Sequence, residues 1–351
     1  MVIGKTQDIL VRIKSTLGEE KRREFLRMSL KRLIDVGVVS QLLKKNIINK
    51  EGVRILDCTY DQSLVAKKPD WKHFKNELYG NFEKILALPS TSKELYLSGH
   101  IPKAPHISID AALYPSEYER FALYPPEVFQ QYIQMLGIHE DEHLILYARG
   151  MFGGMLHASK FAWLFKSYGH EKVSLIDGGF DEWERKGLEI SKDDVKLPPG
   201  NWKAKDNLTR YNIKYEHLEE QHGDRKYIEW TDDINWLDSR VRGQFEGTVP
   251  TGCPPTVVGT HIPGFKNLPA AELVEEGVTR SPEEIKDWLD THGFRADRPT
   301  VIMCNVGLQA AMLAYAIESV YPHNPIQVYN GSLREMELRN PKRVSGVTEN
   351  V

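Results

Sequence analysis

One cysteine of this sequence stands where a thiol becomes reactive. Cys304 lies between a buried strand predicted at Thr300–Met303 and a helix predicted at about Leu308–Val320, and the turn CNVGLQA joins the two. Unpaired N–H groups and the positive end of the helix dipole favour thiolate over thiol there. In parallel sheets, ligand sites also lie beyond the carboxyl ends of the strands. The pattern predicts a nucleophile at Cys304, the alternative being a cysteine buried as a small apolar residue.

The other two cysteines carry no comparable signal. Cys58 lies in the strand-like run ILDCTYD and is predicted to be buried and inert. Cys253 lies in the Pro/Gly-rich stretch TVPTGCPPTVVG and is interpreted as a bystander. Three cysteines in 351 residues do not suffice for a disulfide framework and are typical of a reducing, intracellular compartment.

The elements that must position Cys304 occur twice in the chain. Five segments recur in the same order: ILDCTYD (55–61) with WLDSRVR (236–242), SGHIPKAPHISID (98–110) with GTHIPGFKNLPAA (259–271), PPEVFQQYIQMLGI (125–138) with SPEEIKDWLDTHGF (281–294), HLILYARG (143–150) with PTVIMCNVG (299–307), and KVSLIDGGFDEW (172–183) with PIQVYNGSLREM (325–336). Strand-like and helix-like runs alternate within each copy. That order predicts an α/β fold of two units, each a mostly parallel sheet with helices on both faces. Ala148 occupies the place of Cys304 in the first copy, so only the second copy is predicted to be catalytic.

The composition agrees with two domains and excludes several classes of protein. A chain of this length fits two cores, and we divide it into a basic extension (1–35), a noncatalytic domain (36–189), a linker (190–212) and a catalytic domain (213–345). The net charge of −3 gives no reason to expect a nucleic-acid partner. No apolar run approaches the ~20 residues that span a bilayer.

The N-terminal extension is basic, with 12 Lys/Arg against 5 Asp/Glu in residues 1–50. A mitochondrial presequence is basic and amphipathic but poor in acids. Residues 1–17 fit that description, whereas Glu19, Glu20 and Glu24 oppose it. The alternative is an added amphipathic helix that covers part of the body.

The duplicated unit resembles a known family. The HIPG motif, the DSR…GxFxGT stretch and the C-x-x-G-x-x-A loop resemble the tandem rhodanese sulfurtransferases, which comprise thiosulfate and 3-mercaptopyruvate sulfurtransferases, over about residues 36–340. The resemblance implies two rhodanese-like domains and transfer of a sulfane sulfur through a persulfide on Cys304. It implies no metal and no organic cofactor. It also implies a small sulfur donor, an acceptor that is cyanide, a small thiol or a protein thiol such as thioredoxin, and a location in the mitochondrion or cytosol.

The resemblance assigns roles around the cysteine. The loop amides would cradle the persulfide or the departing anion, and they belong to Asn305, Val306, Gly307, Leu308 and Gln309. His100 would lie at the domain interface near the active site. Its alternative is a structural turn histidine, since His261 has the same place in the second copy.

The sequence departs from the family at the predicted donor site. Its loop C-N-V-G-L-Q has no cation, unlike C-R-K-G-V-T of thiosulfate-preferring members, and lacks the Ser of the C-G-S-G-V-T form of mercaptopyruvate-preferring ones. Gln244 and Cys253 stand where two arginines hold the donor anion in the family, and Gln lacks the charged two-pronged fork of Arg. Arg240 and Arg242 remain close by, and Arg242 would substitute for the missing cation unless it is a solvated surface residue. The neutral loop favours mercaptopyruvate over thiosulfate, whereas the missing arginines oppose either donor.

Two other functions were weighed. A catalytically degenerate module for binding or redox sensing is the main alternative, and the altered loop, Gln244 and the basic extension motivate it. A cysteine phosphatase of related fold is rejected, because such enzymes need an arginine at the end of the loop to hold phosphate and this chain has Ala310 there.

Overall fold

The computed structural model describes residues 30–251 and 260–345. The predicted N-terminal helix or presequence and Cys253 lie outside these residues. Within them the chain forms two α/β units, each built on a parallel sheet, which confirms the predicted fold class.

The first unit contains the first parallel sheet and its helices. Its strands are β1 (Leu33–Ile34), β2 (Val53–Asp57), β3 (Leu113–Tyr114), β4 (Ala122–Leu123), β5 (His143–Tyr147) and β6 (Val173–Ile176). Its helices are α1 (Val36–Lys44), α2 (Trp71–Glu77), α3 (Phe82–Leu86), α4 (Thr91–Ser98), α5 (Ile109–Ala112), α6 (Pro126–Met135), α7 (Met155–Ser167) and α8 (Gly179–Arg185), with a 3-10 turn at Gln62–Leu64. The sheet order is β1-β6-β5-β2, and Asp57 at the end of β2 makes a further parallel bridge to His106. β3 and β4 form a separate antiparallel pair.

The second unit repeats this arrangement. Its strands are β7 (Asn212–Ile213), β8 (Gln221–His222), β9 (Arg225–Lys226), β10 (Asn235–Asp238), β11 (Lys266–Asn267), β12 (Val274–Glu275), β13 (Val278–Thr279), β14 (Thr300–Met303) and β15 (Ile326–Tyr329). Its helices are α9 (Leu208–Tyr211), α10 (Tyr215–Leu218), α11 (Arg242–Glu246), α12 (Pro282–Thr291), α13 (Leu308–Val320) and α14 (Ser332–Arg339), with 3-10 turns at Tyr227–Glu229, Ala270–Leu273 and Pro341–Arg343. The parallel sheet has the order β11-β10-β14-β15-β7. β8 with β9 and β12 with β13 form small antiparallel hairpins.

The two sheets correspond strand for strand. β2, β5 and β6 in the first unit match β10, β14 and β15 in the second, as the sequence repeat predicts, and β1 matches β7, a pair that the repeat did not include. β1 lies within the range predicted as the extension, and β7 begins at the last residue of the range predicted as the linker. In the strand orders given above, β1 and β7 are each an edge strand of their sheet.

Successive side chains of a strand face opposite sides of the sheet, and this alternation builds three hydrophobic clusters. Leu56 and Ile302 face a large central cluster that is continuous between the two units, where α7 packs against α13. Ile55 faces an outer cluster of the first unit under α1 and α8, and Val301 faces the outer cluster of the second. The domains therefore share one apolar core across their interface.

The carboxyl ends of β10, β14 and β15 meet at one edge of the second sheet. Ser239, Cys304 and Asn330 are the first residues after these strands. A hydrogen bond of 2.9 Å from the Ser239 hydroxyl to the Met303 carbonyl ties the first two ends together. This edge carries the predicted nucleophile. Among the residues that the structure describes, no helix has the length and apolarity to cross a membrane.

Candidate active site

Cys304 is buried at the start of α13, where its sulfur accepts a backbone hydrogen bond. The Gly307 N–H donates to Sγ at 3.1 Å, and only 1% of the Cys304 surface is exposed. Gly307 has φ +80°, and a Cβ atom there would stand 2.6 Å from Asn330 Oδ1. Only glycine fits both the left-handed conformation and this close approach. The loop therefore curls around the sulfur because residue 307 has no side chain.

The connection between β15 and α14 holds the cysteine loop from the other side. The Cys304 N–H donates to Ser332 Oγ at 3.1 Å, and the Ser332 hydroxyl donates to the Tyr329 carbonyl at 2.8 Å. The Leu333 N–H donates to the Cys304 carbonyl at 3.1 Å. These bonds satisfy both backbone groups of Cys304, so the cysteine backbone is fixed before any substrate binds.

Gln244 reaches the cysteine loop from α11. Asn305 Nδ2 donates to Gln244 Oε1 at 3.1 Å. Gln244 Nε2 lies 3.3 Å from the Pro250 carbonyl and 3.4 Å from that of Thr251. Gln244, which stands where the resemblance places an arginine, therefore contacts the residue next to Cys304 through a neutral amide.

The remaining loop side chains divide into apolar and polar. Val306 and Leu308 are buried in the central hydrophobic cluster. Asn305 Oδ1 and Gln309 Oε1 are buried acceptors without a hydrogen-bond partner among the described residues. A buried polar atom without a partner costs about 1–3 kcal/mol. These two oxygens are therefore places where a hydrogen-bond donor of a ligand or water would be stabilised.

Arg240 is fully buried and engaged within its own domain. Its guanidinium forms a salt bridge of 2.6 Å with Asp238 and donates to the Thr260 carbonyl at 2.6 Å. Both side chains of the salt bridge have 0% exposure. Arg240 holds the strand end and the 260 region together, and a donor molecule would reach it only after these bonds had broken.

Arg242 lies on the surface, two residues after Arg240, and is the first residue of α11. Its guanidinium pairs with both carboxylate oxygens of Glu272, at 2.7 and 2.8 Å, and stands 2.9 Å from Nε2 of His292. Its side chain is 46% exposed. The structure does not bring Arg242 together with Cys304, and it matches the surface alternative that the sequence left open.

His100 is buried in the first unit, where it fastens the chain after α8. Its Nδ1 lies 3.0 Å from the Ile101 carbonyl and its Nε2 lies 2.8 Å from the Asp193 carbonyl. Its ring stacks on Tyr96 at 4.1 Å. His261 is held similarly, stacked on Phe245 at 4.2 Å. This geometry is that of a structural histidine, and His100 is not drawn into the cysteine loop.

A lysine of the first unit contacts the cysteine loop, and the sequence reasoning missed it. Lys160 projects from α7 and is fully buried. Its Nζ donates to the Gly307 carbonyl at 3.2 Å and to Asn330 Oδ1 at 2.5 Å. Burial lowers the pKa of Lys160 to about 7, although the charges of Cys304 and Glu119 raise it in part. The signal was available, since this lysine directly precedes the apolar run FAWLF in a helix whose residues are all buried.

Asn330 links Lys160 to a carboxyl group of the first unit. Asn330 Nδ2 donates to Glu119 Oε2 at 2.6 Å and to the Phe121 carbonyl at 2.7 Å. Burial, and then the charge of Glu335, raise the pKa of Glu119 to about 7. A cavity of about 230 Å³ adjoins this carboxyl group and is lined from both units, by Tyr118, Glu119, Lys214, Tyr215, Glu335 and Arg339 among others. A continuous polar chain therefore runs from this cavity to the cysteine loop.

Cys58 has the environment predicted for it. It is fully buried, and burial raises the pKa of its thiol well above the ordinary range. In residues 30–251 and 260–345, no three His, Cys, Asp or Glu side chains are grouped so as to hold a metal ion.

Comparison with known proteins identifies relatives of the whole chain. A family model described as a rhodanese-like domain matches residues 40–186. A Caenorhabditis elegans protein named, provisionally, as the thiosulfate sulfurtransferase mpst-1 is 56% identical over 323 residues, which is 91% of this chain and 98% of that protein. The 3-mercaptopyruvate sulfurtransferase of Escherichia coli is 30% identical over 244 residues, or 70% of this chain and 82% of that protein. The crystal structure of SseA from E. coli superimposes with a TM-score of 0.66 at 23% identity, covering 86% of this chain and 99% of that one.

Proposed function

This chain belongs to the rhodanese family and is a sulfurtransferase, and we propose that Cys304 is the nucleophile that carries the sulfur. The observation that supports this assignment is the hydrogen bond from the Gly307 N–H to Sγ at 3.1 Å, at the N-terminus of α13. A backbone donor and the positive end of a 13-residue helix both stabilise a negative charge on sulfur. In the first unit, Ala148 occupies the position that corresponds to Cys304. That unit instead contacts the Cys304 loop across the interface between the two units.

The reaction proceeds in two displacements. The Cys304 thiolate attacks the sulfane sulfur of the donor, so that a new S–S bond forms while the bond from that sulfur to the rest of the donor breaks. With 3-mercaptopyruvate the electron pair of the C–S bond leaves on the enolate of pyruvate, which then takes up a proton. An acceptor thiolate or cyanide next attacks the outer sulfur of the persulfide, and the Cys304 thiolate is released.

We propose 3-mercaptopyruvate rather than thiosulfate as the donor. Thiosulfate is a dianion, and none of the six loop residues from Cys304 to Gln309 carries a positive charge. Gln244 is neutral, Arg240 is engaged by Asp238, and Arg242 pairs with Glu272. The donor's single carboxylate demands less compensating charge, and its carbonyl and thiol groups suit the neutral loop.

The acceptor and the compartment follow from the family alone. We propose a thiol acceptor, either a small thiol or a protein such as thioredoxin, with cyanide as a substitute acceptor in vitro. The mitochondrion or the cytosol is the proposed location. A fractionation of cells that express the full chain, with and without residues 1–29, distinguishes the two compartments.

The assignment of Cys304 is tested by the mass of the intact protein. After incubation with 3-mercaptopyruvate and removal of the donor, the chain should gain the mass of one sulfur atom, and cyanide should remove it. Cys304→Ala should abolish the gain, whereas Cys58→Ala should retain it because Cys58 is buried in the first unit. A folded protein that gains no sulfur from mercaptopyruvate or thiosulfate would support the degenerate binding module instead. A gain that survives Cys304→Ala would assign the sulfur to another cysteine.

A further inference from the structure

We infer that Lys160 is a positioning residue for sulfur transfer, which fixes the cysteine loop from the first domain and supplies the positive charge that stabilises the Cys304 thiolate. The inference rests on the proposed role of Cys304 and adds a specific contribution of the noncatalytic domain. It also explains how a thiolate is stabilised in a loop whose own residues carry no positive charge.

The geometry ties the ammonium group to the loop that surrounds the sulfur. Lys160 Nζ donates at 3.2 Å to the carbonyl of Gly307, the residue whose N–H donates to Cys304 Sγ. Gly307 therefore contacts the ammonium group through its carbonyl and the sulfur through its N–H. Because Lys160 has no exposed surface, water does not screen its interaction with the loop.

Nothing in the described part of the chain neutralises this ammonium group by direct contact with a carboxylate. Its partners among the described residues are two neutral oxygens, on Gly307 and Asn330, and the face of Trp163, whose ring centroid lies 4.0 Å from Nζ. A buried ammonium group needs a negative charge nearby to stay protonated. Two titratable groups supply one, the Cys304 sulfur and the Glu119 carboxyl.

Asn330 is hydrogen-bonded to both Lys160 and Glu119. Its Oδ1 accepts from Lys160 at 2.5 Å and its Nδ2 donates to Glu119 at 2.6 Å. Glu119 in turn faces the charges of Glu335 and Lys214 around the 230 Å³ cavity. When Glu119 is ionised, the ammonium form of Lys160 is favoured, and the ammonium form favours the Cys304 thiolate. The chain therefore couples the charge at the interface cavity to the nucleophile.

The test compares two buried lysines of the same helix. Lys166 lies further along α7 and pairs with Glu318 at 2.5 Å, away from the cysteine loop, so Lys166→Met is the matched control for Lys160→Met. Iodoacetamide alkylation of Cys304 in the full chain is followed against pH by peptide mass spectrometry. Lys160→Met should move the pH of half-maximal rate upward by about one unit or more, as expected when a close opposite charge is removed. Lys160→Arg and Lys166→Met should keep the wild-type profile.

A folded Lys160→Met protein with an unchanged alkylation profile would overturn the inference and leave Lys160 a packing residue. If Lys160→Met does not fold, the alkylation profile of Glu119→Gln provides the test. Loss of the Glu119 charge should shift that profile upward by a smaller amount. An unshifted profile would contradict the coupling between Glu119, Lys160 and Cys304. The two proposals fail separately. A wild-type protein that forms no persulfide refutes sulfur transfer at Cys304, whereas the alkylation profiles report on Lys160 alone.

Discussion

The side-chain amide of Asn305 donates to Gln244 at 3.1 Å, so the residue that follows Cys304, the proposed nucleophile, is hydrogen-bonded to the residue that replaces a family arginine. An arginine at position 244 has only donors and cannot accept this bond. Glutamine accepts from Asn305 and donates to the 250–251 carbonyls at the same time. The replacement therefore exchanges a charge for a hydrogen-bonded bridge between α11 and the cysteine loop.

Gln244→Arg should improve the use of anionic donors. The new guanidinium would add a charged partner for the donor carboxylate, and hydrogen bonds to charged groups contribute about 1.5–3 kcal/mol. We expect the KM for 3-mercaptopyruvate to fall about tenfold, which corresponds to about 1.4 kcal/mol. Gln244→Met is the control, since it removes the bridge without adding charge and should not lower the KM. An unchanged KM in Gln244→Arg would place residue 244 outside the donor site.

Gly307→Ala should damage both the fold and the chemistry. Alanine at φ +80° is strained by about 1–2 kcal/mol, and its Cβ would also overlap Asn330. Gly187→Ala isolates the strain, because Gly187 has φ +63° and nothing within 4 Å of a Cβ. Urea denaturation should show a larger loss for Gly307→Ala than for Gly187→Ala. Only Gly307→Ala should lose persulfide formation, and equal losses in the two variants would mean that the close approach to Asn330 is unimportant.

Arg240→Gln and Arg242→Gln should differ sharply in stability. Arg240→Gln leaves the Asp238 carboxylate buried without its cation, which costs about 3–5 kcal/mol. Arg242→Gln removes an exposed pair with Glu272 and should cost less than about 1 kcal/mol. The free energy of unfolding in urea measures both. If Arg242→Gln raises the KM for the donor, then Arg242 does contribute to donor binding in solution, contrary to its surface placement.

Glu119→Gln should change how stability depends on pH. The pKa of Glu119 is raised from 4.5 to about 7, so between these values the folded state holds a proton that the unfolded state has released. The contribution of this group is fully present below pH 4.5 and is lost as the pH rises through about 7. Glutamine has no proton to lose, so the variant should gain stability relative to wild type as the pH rises from about 4.5 to about 7. Glu283→Gln, at an exposed site on α12, serves as control, and a parallel shift in both variants would contradict the assignment.

Local sequence patterns correctly predicted the strand and the helix that flank Cys304. The strand at Thr300–Met303 and the helix at Leu308–Val320 have the predicted bounds, because a short apolar run, a glycine turn and a long apolar helix are local signals. The burial of Cys58 was predicted from its place in the strand-like run ILDCTYD, and Cys58 directly follows β2. The roles of the arginines did not follow from the sequence. Arg240 pairs with Asp238, two residues away, and Arg242 pairs with Glu272, 30 residues away, but only packing decided that the first pair is fully buried and the second lies at the surface.

The repeat, the two parallel sheets and the position of one thiol at the carboxyl edge of the second sheet are all predictable from local sequence patterns. These properties depend on hydrophobic periodicity and on turn residues, which act over a few positions of the chain. The surroundings of that thiol, in contrast, depend on contacts between distant parts of the chain. Lys160 is 147 residues away from Gly307 and Glu119 is 211 residues away from Asn330, and they meet because the two apolar faces of the duplicated units are buried against each other. Burial of these faces also buries polar groups, which must form hydrogen bonds within the interface. Lys160 forms them with Gly307 in the Cys304 loop, and Glu119 forms one with Asn330.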